Sequence, residues 1–115
     1  MEFSHLPEFD KEFKRLLKKY RTLRADLKLL KSVLETYPRG YPPGIIRISG
    51  LGIETETYKV KHFRCKALKH KGSRSGIRII YTYFEEEQKI RFIEIYYKEK
   101  DDIRCNRERI LRYYK

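Results

Sequence analysis

The sequence predicts an α+β domain in which an antiparallel sheet carries helices on one of its faces. Three observations lead there. Residues 7–37 carry two one-sided apolar stripes at helical spacing, IRIIYTYF and KIRFIEIYYK are strong strands, and a polar break after Lys98 leads into a last short amphipathic segment. The chain has 115 residues, 40% hydrophobic and 38% charged, enough to bury one modest core, so residues 1–115 are expected to form a single domain.

Met1 to Ser4 contains Phe3 and reads as an edge strand once a sheet exists. From Pro7, which suits a first helical turn, Phe9, Phe13, Leu16, Leu17 and Tyr20 form an apolar stripe with Lys and Arg on the other side. After a break at Arg21 and Thr22, with Thr22 as the expected cap, Leu23, Leu27, Leu30, Leu34 and Tyr37 repeat the pattern until Pro38 ends it. Lys14, Lys18, Lys28 and Lys31 read as solvated helix surface able to steer an anionic partner. The stretch PRGYPPGIIRISGLGIETE is rich in Pro and Gly yet holds Ile45, Ile46, Ile48 and Leu51, which predicts a loop held down by apolar anchors. Gly50 and Gly52 lack the spacing and the downstream helix of a nucleotide-binding fingerprint.

Tyr58 and Val60 alternate with Lys59 and Lys61, after which Phe63 and Cys65 take the opposite phase. A strand with a bulge near His62 would reconcile the two. Lys66 to Arg74 carries four Lys and Arg with His70 and no acidic residue, and Gly72 and Gly76 bracket Ser73, Arg74 and Ser75 in a way that permits close backbone approach to a phosphate. In the next strand Ile77, Ile79, Tyr81 and Tyr83 define one face, and Arg78, Ile80, Thr82 and Phe84 the other. Both are largely apolar, so the strand is expected to be central. Arg78 there needs a carboxylate, carbonyl groups or an anionic ligand, and either Glu94 on the next strand or a bound substrate would serve. An acidic turn of Glu85, Glu86, Glu87 and Gln88 leads into the strand Lys89 to Lys98. Asp101 or Asp102 is the expected start of a final helix bearing Ile103, Ile110, Leu111 and Tyr114.

A formal net charge of +12, from 28 Lys and Arg against 16 Asp and Glu, favours a polyanionic partner. Cys65 and Cys105 stand far apart without metal spacing and read as thiols of a cytosolic protein; no leader or membrane span is expected. No cofactor is expected, because neither metal-ligand spacing nor a hydrolase triad motif is present and the histidines are scattered. His62 and His70 remain candidates for acid/base chemistry. Cleavage of RNA through its own 2′-hydroxyl is consistent with the cations: it needs in-line placement, stabilisation of the phosphorane charge and a neutralised leaving oxygen, all of which Lys and Arg can supply. Lys66, Lys69, Lys71, Arg74 and Arg78 are the clustered cations, while Tyr96, Tyr97, Tyr113 and Tyr114 can stack a base.

The order of FKRLLKKYRTLRADL, YKVKHFRCKAL, KGSRSGIRIIY and IRFIEIYYK with a short final helix resembles the RelE/ParE toxin superfamily, closest to the RelE-type messenger-RNA interferases. SGIRIIY and FIEIYYK are the most specific parts of a likeness that spans almost the whole chain. The resemblance implies a RelE-like, microbial-ribonuclease-like fold: a small curved antiparallel sheet of three to four strands packed against two N-terminal helices, with a short C-terminal helix. It further implies a cytoplasmic toxin of a toxin-antitoxin system, a metal-independent endoribonuclease that cuts messenger RNA on the ribosome and is neutralised by a cognate antitoxin. Arg78 stands where such toxins carry an arginine contacting the scissile phosphate. For the paired lysines of that family, YKVK offers Lys59 and Lys61, the longer loop brings Lys69 and Lys71 to comparable distance, and Arg64 with Lys66 lies between. Near the C-terminus the matching cations and tyrosine fall among Lys98, Lys100, Arg104, Tyr97, Tyr113 and Tyr114. ParE-type relatives instead poison DNA gyrase without nuclease action, and a non-catalytic nucleic-acid-binding relative is the third reading.

Overall fold

The computed structural model describes residues 1–68, 75–98 and 106–115. Its elements run β1 (Glu2–His5), α1 (Pro7–Lys19), α2 (Leu23–Thr36), β2 (Ile45–Arg47), β3 (Glu56–Val60), β4 (Ile77–Phe84), β5 (Lys89–Tyr97) and α3 (Arg107–Tyr114). The strands form one sheet in the order β1-β5-β4-β3-β2. β2 to β5 pair antiparallel, but β1 runs parallel to β5, with Phe3 beside Ile90 and His5 beside Phe92. The expected small curved antiparallel sheet of three to four strands is therefore corrected to an open, mixed, five-stranded sheet with three helices. Two short strands account for the difference. β1 is joined to α1 through Leu6 alone, so it enters the sheet beside β5 in the parallel sense. β2 lies inside the segment expected to be loop, where Ile45 and Ile46 supply β-branched side chains and Gly40, at φ +63°, makes the turn before them.

The apolar stripes of α1 and α2 pack as their spacing predicts. Phe9 and Phe13 of α1 and Leu23, Leu27, Leu30 and Leu34 of α2 are buried against Tyr58, Val60, Ile77, Ile79, Tyr81, Ile90, Phe92 and Ile95. Phe92 lies 5.4 Å from Phe9 between ring centroids, and Tyr58 stacks on Tyr81 at 5.3 Å. Thr22 makes no cap hydrogen bond; its hydroxyl donates to Asp26 at 2.7 Å and accepts from the Ala67 N–H at 2.8 Å. Asp26 also accepts from the Lys66 N–H, so buried Asp26 and Thr22 together fasten the turn at 65–67 to α2.

The expectation that helices cover only one face is also corrected. The Tyr114 hydroxyl lies 3.3 Å from that of Thr82, its ring lies beside Phe84, and the Asn106 N–H donates to Glu94, so α3 lies against the face opposite α1 and α2. Its other side reaches round the β5 edge to α1: Arg109 holds Glu12 with both guanidinium arms at 2.9 Å and donates to the Ile93 carbonyl, and Tyr113 donates to Glu8. Asn106 caps this helix by accepting from the Arg109 N–H; Asp101, Asp102 and Ile103, also expected to serve it, lie outside the described residues.

The anticipated bulge near His62 is not where the sheet deforms. β3 ends at Val60, and the Lys61 and His62 N–H groups both donate to the Gly44 carbonyl. The irregularity falls between Ile80 and Tyr81, where β5 spends one extra residue, Ile93, against β4.

Candidate nucleic-acid interface

Arg78 is half-buried in the second position of β4, on the face opposite α1 and α2. Pairing sets its row: Tyr96 of β5 lies directly beside it, while the pairing with β3 ends at Val60 beside Ile79, with Lys61 the next residue in the chain. The next row on the same face is Lys59, Ile80 and Glu94. Lys98 shares the strand parity of Tyr96 and is tied by its N–H to the Gly76 carbonyl at 2.8 Å. Arg78 and Lys59 are thus brought to one sheet face, together with Tyr96 and Glu94, with Lys98 following at the end of β5.

The side-chain hydrogen bond of Arg78 is a long one, 3.4 Å to the carbonyl of its own neighbour Ile77. Glu94, anticipated as its structural partner, is engaged otherwise: it accepts from the Asn106 N–H at 2.8 Å, with Arg109 and Lys59 as its nearby cations. Burial holds the Glu94 carboxyl above the usual range, against the opposing pull of that hydrogen bond. Among the described residues no carboxylate forms an ion pair with Arg78.

The remaining predicted residues separate from this group. Arg64 and Lys66 line a groove of about 420 Å³ against Leu30 and Val33 of α2, on the α1–α2 side of the sheet. Tyr97 also faces that side, with its ring 6.0 Å from Tyr20 and packed over Gly76. Ser75, expected near phosphate, is buried and donates its hydroxyl to the Phe63 carbonyl at 2.5 Å while accepting from the Ile77 N–H. It serves to anchor the start of β4. Lys69, Lys71, Arg74, Lys100 and Arg104 lie outside the described residues, as do His70, Gly72 and Cys105. His62 is exposed on the rim of the α2 groove. Burial raises the thiol pKa of Cys65, a free cysteine.

The sequence offers Glu94 as a structural partner of Arg78 and Tyr96 as one of four tyrosines able to stack a base; that these two share the Arg78 face depends on the register. Counting back from the pair Phe84 and Lys89 without a bulge would set Ile95, not Tyr96, beside Arg78, and would bring Tyr97 to the Arg78 face. The extra residue at Ile93 reverses that parity.

Chemically, this face offers a guanidinium able to grip two phosphate oxygens, flanking ammonium groups, an aromatic ring and a carboxyl whose pKa is raised. Among the described residues no group of three or more His, Cys, Asp and Glu side chains is placed to hold a metal ion, and no helix is long and apolar enough to cross a membrane. Comparison with known proteins finds no matching family model and no matching curated protein.

Proposed function

We propose that the chain is a toxin of the RelE/ParE superfamily that cleaves messenger RNA on the ribosome by metal-independent attack of the 2′-hydroxyl. The observation that carries this reading is Arg78, a half-buried guanidinium on a central strand whose side-chain bond is one long contact to a neighbouring carbonyl. Such a group gains most from an anion delivered to it. Arg78 neutralises the charge that builds on the phosphorus-bound oxygens, and Lys59, Lys61 and Lys98 hold the flanking phosphates. Lys69 and Lys71 remain cations proposed for the same reaction, with Arg74, Lys100 and Arg104 proposed for RNA binding. Tyr96 offers its ring to a base. Glu94, one row from Arg78 on the same face, accepts the 2′-hydroxyl proton; the 2′-oxygen bonds to phosphorus as the bond from phosphorus to the 5′-oxygen breaks, and the 5′-oxygen takes a proton from water, leaving a 2′,3′-cyclic phosphate. A cognate antitoxin, acidic where it meets these cations, would hold the protein silent.

Purified protein added to programmed ribosomes, with messenger ends mapped and free RNA and gyrase run in parallel, tests this. Cleavage of ribosome-bound messenger that falls on the order of a hundredfold in Arg78→Ala is the expected result. Intact messenger with inhibited gyrase would establish the ParE-type action instead, and RNA binding without shortening would establish a non-catalytic module.

A further inference from the structure

On the far side of the molecule from Arg78, α2 presents a basic rail. Arg21 in the turn before the helix, then Arg24, Lys28 and Lys31, follow one another at intervals of three, four and three residues, which sets them along one helical face. Two adjoining hollows open along this line, one of about 540 Å³ bounded by Leu17 and Arg21 and one of about 390 Å³ bounded by Phe13, Lys14 and Lys31; Arg24 and Lys28 line both. The cations are held over aromatic rings. The Arg24 guanidinium stands 5.8 Å from the Phe13 centroid, and the Lys31 ammonium 5.7 Å from both Phe3 and Phe92.

Most nearby carboxylates are engaged by other groups, although Asp10 lines the smaller hollow, where its charge favours the Lys31 ammonium, and exposed Glu35 stands four residues beyond Lys31 on α2. Glu8 and Glu12 of α1 are engaged by α3, Asp10 bonds His5 at 3.0 Å, and Asp26 of α2 is turned inward to Thr22 and Lys66. Among the described residues no carboxylate forms an ion pair with Lys14, Arg21, Arg24, Lys28 or Lys31. Like charges at these helical spacings repel, and partial burial already disfavours the ammonium form of Lys31. A bound anion would relieve both effects.

We infer that the α1–α2 cleft is a second binding site, distinct from the Arg78 face, for an extended phosphate chain. Arg21 to Lys31 spans about 15 Å along the helix, close to the length of roughly four nucleotides of one strand of a duplex. A single phosphate would meet one or two of the cations; a phosphodiester or polyphosphate chain meets them in sequence. The apolar floor of Phe13, Leu17 and Leu27 lies between the cations, so the cleft reads the charged chain and leaves bases outside.

The test uses the full chain, a DNA duplex that lacks the 2′-hydroxyl and so cannot be cut by the proposed reaction, an RNA duplex and inorganic polyphosphate. Binding is followed by anisotropy across salt concentrations, with labelled duplexes read directly and polyphosphate read by competition. Arg24→Gln/Lys28→Gln should weaken binding about tenfold and lower the slope of log affinity against log salt by roughly two. Lys11→Gln/Arg107→Gln, with the same change in net charge, should have a much smaller effect. Weakening confined to the duplexes assigns the cleft to nucleic-acid backbone, and weakening confined to polyphosphate assigns it to the free polymer; each supports a phosphate-chain site. Equal weakening by both double variants, or none by the first while circular dichroism shows it folded, would overturn the inference. Because the DNA duplex and polyphosphate cannot be cut by the proposed reaction, their binding stands apart from the nuclease reading.

Discussion

The two faces of the sheet are built from alternate residues of the same strands, yet they do different work. The face toward α1 and α2 is closed by interlocking rings and aliphatic side chains, with Phe9, Tyr81, Phe92, Ile79 and Ile95 almost wholly removed from water. The opposite face carries Lys59, Arg78, Glu94 and Tyr96 beside Ile80 and Thr82, and is covered in part by α3, which touches it through Asn106 and Tyr114. Burying a charge without a partner is costly, so cations survive on a central strand only where an ion, a carbonyl or a ligand can reach them. One face is apolar packing, while the other mixes the buried Ile80 and Thr82 with half-buried charge.

That contrast can be broken in several places. The largest effect is expected on the closed face, where Phe92→Ala removes a ring packed on Phe9, Phe3 and Tyr81 and should cost about 3–5 kcal/mol in denaturant unfolding. On the other face, Arg78→Ala should leave unfolding within about 0.5 kcal/mol of the parent while messenger cleavage falls on the order of a hundredfold. A large loss of stability there would make Arg78 part of the scaffold. Between the two lies Arg109, the α3 side chain that bridges Glu12 and the Ile93 carbonyl. Its pair is not fully buried, so Arg109→Ala should cost about 2 kcal/mol, seen as faster amide exchange in α3 than in the sheet. Gly76→Ala should cost about 1 kcal/mol: the residue has φ +88°, and an added Cβ would sit 3.0 Å from the Tyr97 ring.

The smallest effect concerns Glu94 and pH. Its carboxyl is held above the ordinary 4.5 by burial, so folding favours its protonated form. Stability from this group is therefore greatest below the unfolded value and declines as pH rises through the interval up to the raised folded value. Glu94→Gln keeps an oxygen for the Asn106 N–H and removes the charge, so the variant should lack that decline. A parallel pH dependence in the two proteins would count against burial as the dominant influence. Glu56 provides the opposite sign: Arg39, bonded to it at 2.8 Å, holds its carboxyl below 4.5, and that stabilisation is lost as pH falls through the lowered value.

Much of the scaffold was legible from residue periodicity. The stripes Phe9–Phe13 and Leu23–Leu27–Leu30–Leu34, the central strand at IRIIYTYF and the acidic turn before KIRFIEIYY stand where their spacing puts them. The edge strand at Phe3 was expected and is β1, but not its parallel pairing with β5; β2, at three residues, is too short to carry a periodic signal, and together they make the sheet five-stranded and mixed. For the site, Arg78 could be singled out because an arginine among apolar neighbours is conspicuous. Lys59, Lys61 and Lys98 were named from the sequence too, but so were Arg64, Lys66 and Tyr97, and local pattern does not tell which of them share its face.

The sequence by itself determined much of which residues are buried and that one central-strand arginine would need a carboxylate, a carbonyl or an anionic ligand. Only the tertiary structure decided which residues share its face. One extra residue at Ile93 shifts the β4–β5 register and, because strand side chains alternate with period two, turns Glu94 and Tyr96 toward Arg78 and Tyr97 toward Tyr20. The anchoring of the 65–67 turn by Asp26 and Thr22 sets Lys66 beside α2 for a similar reason: contacts distant in sequence fix an orientation that neighbouring residues do not encode.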